Sequence, residues 1–146
     1  MKVRPYIGSD NEEWVRMRRA LWPELAAETE AEDAAAWLAR PDTHVLVAER
    51  PDGSGLSGFA EVAARPYADG CETSPVAYLE GWYVDADERR TGVGAALLRA
   101  AEVWARRQGY TEMASDALLE NVVSQQAHEA LGFAEVERAV KYRKGL

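Results

Sequence analysis

The stretch Val76–Arg107 reads VAYLEGWYVDADERRTGVGAALLRAAEVWARR. Its first part, Val76 to Val84, is apolar and aromatic, the composition of a central strand. Gly81 inside that strand marks a bulge or a close approach by another group. Its last part, Ala95 to Arg107, places Ala96, Leu97, Ala100, Ala101, Val103 and Trp104 on the apolar positions of a helix, and Gly109 follows where a helix C-terminal glycine belongs. Between strand and helix lies Arg89-x-x-Gly92-x-Gly94, which reads as an anion cradle. Gly92 and Gly94 carry no side chain, so backbone N–H groups can close on phosphate oxygens, and the helix aims its positive end at the same place. Arg89 or Arg90 would add charge-assisted hydrogen bonds. The loop suits a pyrophosphate. No Gly-Lys-Ser/Thr follows, so it is not a Walker loop, and the glycine spacing is not that of a dinucleotide fingerprint.

Outward from this segment the chain alternates strands and helices. Lys2 to Ile7 predicts a first strand. Ser9 with Glu12 and Thr29 with Glu32 read as capping boxes for two helices, one carrying Trp14, Val15, Arg18, Leu21 and Trp22 up to Pro23, the other ending at Arg40-Pro41. His44–Glu49 and Leu56–Ala64, joined by Pro51-Asp52-Gly53-Ser54-Gly55, predict a hairpin. Past the central helix, Thr111–Ala117 predicts a strand, Asn121–Leu131 a helix ended by Gly132, and Ala134–Arg143 a final strand. The order β-α-α-β-β-β-α-β-α-β is that of a mixed α/β sandwich, and without repeats or linkers the chain reads as one domain, 1–146.

Composition narrows the function. A formal net charge of -8 makes nucleic acid a poor partner and a cationic small molecule a better one. One cysteine, Cys71, excludes an internal disulfide, and with only His44 and His128 beside it a zinc cluster is not expected; no metal is called for. No apolar run follows Met1-Lys2-Val3-Arg4-Pro5, so neither signal peptide nor membrane span is expected, and the cytoplasm is the default location.

Tyr83-Val84 through Arg89-x-x-Gly92-x-Gly94-x-x-Leu97-Leu98 resembles the acetyl-CoA loop of the GCN5-related N-acetyltransferases (GNAT). The helix from Asn121 to Leu131-Gly132-Phe133 resembles that family's second CoA-binding segment, and the predicted strand order agrees from end to end. The resemblance implies a mixed central sheet splayed at its middle strands, with helices on both faces. It implies acetyl-CoA as co-substrate, bound by Trp82, Tyr83, Val84, Arg89, Arg90, Thr91, Gly92, Val93, Gly94, Ala95 and Asn121. The pantetheine arm would lie between the strand around Trp82–Val84 and the strand around Met113–Asp116.

Several further blocks look like the aminoglycoside 6′-N-acetyltransferases: Arg18-x-x-Leu21-Trp22-Pro23, Glu72-Thr73-Ser74-Pro75-Val76, Leu79-Glu80-Gly81-x-Tyr83-Val84, Ala101-Glu102-x-Trp104-Ala105 and Ala114-Ser115-Asp116-Ala117. A pocket for these polyamines needs carboxylates for the ammonium groups and aromatic faces for the rings. Glu72, Glu80, Asp116, Glu120 and Glu137 are the acidic candidates, Trp22 and Tyr67 the aromatic ones. The acidic run Glu24, Glu28, Glu30, Glu32, Asp33 would form a flap over the site. Glu80 or Asp116, directly or through a water, would deprotonate the amine for direct attack in a ternary complex. A backbone N–H near Val84 would polarise the thioester carbonyl. Many relatives place a tyrosine before Leu-Gly-Phe to protonate the leaving thiolate; here that register holds His128, the candidate acid.

Two other readings compete. One is acetylation of another amine, such as a protein N-terminus, a polyamine or a small metabolite. The other is a non-catalytic CoA-binding module. Val136, Ala139, Val140 and Tyr142 on the terminal strand would offer an edge for a homodimer.

Overall fold

The computed structural model describes the chain except for residues 25 and 26 and the side chains of residues 27 and 28. Among the described residues, five strands form one sheet in the order β1-β2-β3-β4-β5: β1 (Lys2–Pro5), β2 (Thr43–Glu49), β3 (Leu56–Arg65), β4 (Val76–Val84) and β5 (Met113–Ser115). The first four pair antiparallel; β5 runs parallel to β4. A parallel neighbour requires a crossover, and α3 (Val93–Arg107) supplies it.

Period-two alternation sorts the strand residues onto two faces. Leu46, Ala48, Ala60, Val62, Ala77 and Leu79 pack against Val93, Leu97, Leu98, Ala101 and Ala105 of α3. Val45, Val47 and Phe59 point the other way and meet Trp14 and Met17 of α1 (Asn11–Leu21) and Ala34 of α2 (Ala27–Ala39). Helices therefore cover both faces, as the family resemblance implies. The last helix, α4 (Val122–Ala130), closes in a Schellman motif: Phe133 N–H donates to the His128 carbonyl, Gly132 N–H to that of Glu129, and Gly132 takes φ 98°.

In the β3–β4 ladder Glu61 opposes Gly81 and Val62 opposes Leu79, so Glu80 is an extra, unpaired residue. This bulge swaps the faces of β4: Ala77 and Leu79, then Trp82 and Val84, lie on the α3 side, while Tyr83 joins the α1 side. Both readings of Gly81 hold, because a Cβ there would also stand 3.0 Å from the Trp22 ring.

Under α1 sits a buried charged trio. The Arg18 guanidinium binds the carboxylates of Glu61 on β3 and Glu30 on α2, between the rings of Trp14 and Trp22. Trp14 Nε1 donates to Glu61 at 3.0 Å. Glu30 thus faces the core and anchors α2, so it is not an open flap acid. Glu24, Glu32 and Asp33 are exposed, and the side chain of Glu28 lies outside the described residues.

The structure corrects three expectations. Neither capping box forms. Ser9 lies in a 3-10 turn (Gly8–Asp10), and Asp10, held by two hydrogen bonds from Arg4 and one from the Ile7 N–H, precedes α1. Thr29 is inside α2, which starts at Ala27. Finally, Ala134–Arg143 forms no strand within the chain. Alternation alone does not make a ladder; a strand needs a partner edge, and among the described residues no backbone–backbone hydrogen bond reaches past Phe133.

Candidate active site

The parallel pairing of β4 and β5 is short. Its register runs Ala77–Met113, Tyr78–Ala114, Leu79–Ser115 and stops. From Gly81 to Val84, β4 pairs with β3 alone among the described residues, so its other edge is open for a ligand to pair with. The strands part where the two candidate bases stand, since Glu80 follows Leu79 and Asp116 follows Ser115. The bulge re-aims Glu80 at this point.

The two carboxylates differ in their partners. Arg65 Nε and Nη2 donate to the two oxygens of Glu80 at 2.6 and 2.7 Å. Asp116 takes one hydrogen bond, from the Tyr78 hydroxyl to Oδ2 at 2.5 Å. Arg65 Cζ lies 3.5 Å from the centre of the Tyr78 ring, so Glu80, Arg65, Tyr78 and Asp116 make one continuous strip. Burial and the bond to Asp116 push the Tyr78 phenol well above its ordinary value, which keeps it a donor. Sequence reasoning missed Arg65 and Tyr78. Arg65 is in register with Val76, and its side chain reaches Glu80 only through the antiparallel pairing and the bulge.

The glycine loop has the form of an anion nest. Gly92 takes φ 93°, and Arg90, unusually for a side-chain-bearing residue, takes φ 63°. The first hydrogen bond of α3 runs from Ala96 N–H to Gly92 C=O, so the N–H groups of Val93, Gly94 and Ala95 have no helical acceptor. Space over Gly92 is open, with Met1 Cε the nearest atom at 3.9 Å from a built Cβ. Arg89 and Arg90 are exposed; Arg89 Nε donates to the Val84 carbonyl and Thr91 Oγ1 to that of Glu88. These features fit a pyrophosphate. Trp82 Nε1 donates to the Gly94 carbonyl at 3.0 Å and ties the strand to the start of α3.

The residue that fixes this loop is one the sequence did not single out. Asp85, buried at the end of β4, takes hydrogen bonds from Arg16 at 3.0 and 3.0 Å and from Arg50 at 2.8 Å. Burial alone would raise its carboxyl, but these guanidiniums hold it below the usual aspartate range. Arg50 also binds Asp87 at 2.8 Å, so both arginines are committed to the loop's base, whereas Arg89 and Arg90 stand exposed on the loop itself.

His128 on α4 lies beneath the point of divergence. Its ring meets Trp82 and Phe133 edge-on, with centroids 5.2 and 5.1 Å away. Nδ1 is 2.7 Å from the Ser124 carbonyl and Nε2 is 2.8 Å from Ser115 Oγ. Asn121 caps α4, its Oδ1 accepting from Ser124 N–H at 3.1 Å.

The remaining candidates are spread around the rim. Trp22 is half-buried against Gly81, Phe59 and Arg18. Tyr67 is exposed and donates to Asp69 at 2.9 Å; its phenol is pushed up chiefly by that bond, with Glu137 a nearby contributor. Glu137 is brought there by the tail, where Val136 passes directly over Gly70. Glu72 is exposed on a loop fastened by Glu112, whose Oε1 accepts the N–H groups of Glu72 at 2.9 Å and Thr73 at 2.7 Å. Glu120 is exposed before α4. Burial and Glu112 push the Cys71 thiol up, away from a reactive thiolate. His44 is stacked on Trp104 and its basicity is lowered by burial, a packing role. Among the described residues no three His, Cys, Asp or Glu side chains converge on a metal position, and no helix is long and apolar enough to cross a membrane.

Comparison with known proteins agrees with this geometry. Residues 11–133 match the acetyltransferase (GNAT) family. A Klebsiella aerogenes protein named aminoglycoside N(6')-acetyltransferase type 1 is 48% identical over 99% of this chain and 96% of its own length. One of the same name from Serratia marcescens is 46% identical, covering 91% of each. Among solved structures, apo AAC(6')-IG from Acinetobacter haemolyticus superposes with a TM-score of 0.92 at 36% identity, over 100% of this chain and 99% of that one. AAC(6')-Iy in complex with the bisubstrate analogue CoA-S-monomethyl-acetylneamine gives 0.91 at 35% identity, over 99% and 98%.

Proposed function

The chain belongs to the acetyltransferase (GNAT) family, and from that premise we infer that it transfers the acetyl group of acetyl-CoA to the 6′-amine of aminoglycoside antibiotics, giving resistance. The observation that carries this reading is the end-to-end similarity to aminoglycoside N(6')-acetyltransferases, joined to the likeness to a structure holding a CoA–aminoglycoside bisubstrate analogue. The whole chain acts as one catalytic domain.

Acetyl-CoA supplies the thioester, and the chain binds and orients it. The N–H groups of Val93, Gly94 and Ala95, with Arg89, Arg90, Thr91 and Gly92, take the pyrophosphate. The free edge of β4 at Trp82, Tyr83 and Val84 hydrogen-bonds the pantetheine, an N–H near Val84 polarises the thioester carbonyl, and Asn121 faces the arm. Glu72, Glu120 and Glu137 receive ammonium groups at the rim, with Trp22 and Tyr67 beside the sugar rings. Glu80, already paired with Arg65, orients the acceptor. Asp116, with Oδ1 uncommitted, takes the proton from the reacting ammonium, directly or through a water. The His128 side of the cleft returns a proton to the leaving sulfur.

Two further parts of the reading concern context. The enzyme works in the cytoplasm, where acetyl-CoA is available. It works as a homodimer: the tail past Phe133 carries exposed Val136, Val140 and Tyr142 and makes no backbone pairing among the described residues, as expected of a segment that pairs with a second copy.

The test is product analysis. Incubation with acetyl-CoA and an aminoglycoside should give a singly acetylated product whose new acetyl group is located by NMR on the 6′-nitrogen. Acetylation at another nitrogen would contradict the regiochemistry.

A further inference from the structure

Resting on that reading, we propose that Ser115, not His128, is the group that hands the proton to the departing CoA sulfur, with His128 resupplying it from behind.

The argument begins with the ring nitrogens of His128. Nδ1 lies 2.7 Å from the carbonyl of Ser124, which can only accept, so Nδ1 carries a hydrogen in either charge state. Nε2 lies 2.8 Å from Ser115 Oγ. Both nitrogens are therefore engaged within the protein, and the ring edges are closed by Trp82 and Phe133. The ring's polar route outward runs through the serine hydroxyl. Ser115 is also the last residue of β5 in register with β4, and its Oγ sits 3.2 Å from the Leu79 carbonyl. It thus occupies the point where the strands part to admit the thioester, one residue before Asp116.

The proton count closes. Between turnovers, with the cleft open, solvent returns a proton to Nε2 along the same serine route; Nε2–H then donates to Ser115 Oγ, and the hydroxyl hydrogen is free to turn from the Leu79 carbonyl to the sulfur. As the C–S bond breaks and its electron pair goes to sulfur, the Ser115 O–H bond breaks and an S–H bond forms. The Nε2 proton passes to Oγ, restoring the hydroxyl and leaving a neutral ring that keeps its Nδ1 hydrogen.

The test uses Ser115→Ala, Ser115→Thr and His128→Gln in the full chain. Ser115→Ala should lower kcat by about 100-fold, the lower range for a lost acid–base group, and leave KM for both substrates within about 2-fold. Ser115→Thr should recover most of the rate. Adding His128→Gln to Ser115→Ala should cost little more than Ser115→Ala alone, because both lie on one route. A second readout needs no turnover. In the binary complex with CoA, the ultraviolet absorbance of the thiolate should develop at lower pH in the wild type than in Ser115→Ala, since a hydroxyl donor favours the charged form. Wild-type kcat in Ser115→Ala, or identical thiol ionisation in the two complexes, overturns the proposal. If Ser115→Ala folds poorly, an inactive Ser115→Thr variant with normal CoA binding overturns it equally. Failure of the wild type to acetylate any aminoglycoside would instead strike the substrate reading, and the thiol titration would still decide the role of Ser115.

Discussion

Arg65 grips both carboxylate oxygens of Glu80, while its neighbour across the cleft, Asp116, has one oxygen without a partner among the described residues. A carboxylate gripped on both oxygens by a guanidinium is held in one orientation with its acceptor sites taken; one with a free oxygen leaves a site open to an ammonium hydrogen. On the proposed reading the two acids divide orientation and proton transfer between them. Asp116→Asn should lower kcat by about 100-fold or more, whereas Glu80→Gln should mainly raise KM for the aminoglycoside. Steady-state kinetics of the two variants, side by side, checks this, and the opposite pattern would reverse the assignment.

Asp85 braces the base of the glycine loop through Arg16 and Arg50. Asp85→Asn leaves two guanidiniums facing a neutral amide and should let the loop drift. The expected result is weaker CoA binding by calorimetry, on the order of 10-fold, since small displacements of positioning groups are costly. KM for the aminoglycoside should hardly move.

The Arg18–Glu61–Glu30 trio predicts a pH effect on stability. Burial outweighs the attraction of Arg18 and pushes the Glu61 carboxyl up from 4.5 to about 7. Between those values the native protein keeps a proton that the unfolded chain has released. Stability should therefore fall as pH rises from about 4.5 to 7 and level off above, by an amount on the order of 3 kcal/mol. Glu61→Gln, which can still accept from Arg18 and Trp14, should flatten that slope. Urea denaturation at a series of pH values reads it directly.

The unpaired tail makes a prediction about assembly. Val140→Asp together with Tyr142→Asp changes two exposed side chains, at 69% and 92% of full accessibility. In a monomer such changes should be silent. In the proposed dimer they should shift the species seen by sedimentation toward the monomer and reduce activity, since Glu137 travels with the same segment.

Much of the fold was legible because it rests on local patterns. Val76–Val84 was read with the bounds it has, Gly109 and Gly132 end their helices with positive φ, and Gly81 marked a real bulge. The glycine loop was legible for the same reason, its geometry being written into Gly92 and the helix that follows. What stayed hidden depends on distant pairings. Arg65 reaches Glu80 through the β3–β4 register, Asp85 meets arginines from α1 and from just past β2, and Ser115 meets His128 only once α4 is packed. Glu30 looked like one of several solvent-facing acids, and only Arg18 beneath it explains its burial. The terminal alternation, lacking a partner edge in its own chain, misled in the opposite direction.

The central claim is the transfer of acetyl to one particular amine. The most direct measurement is thiol release from acetyl-CoA with two aminoglycosides that differ only at the 6′ position, one bearing an amine and the other a hydroxyl. Rapid, saturable release with the amine and none above background with the hydroxyl is the predicted result. Equal release with both, or none with either while CoA still binds, would contradict it.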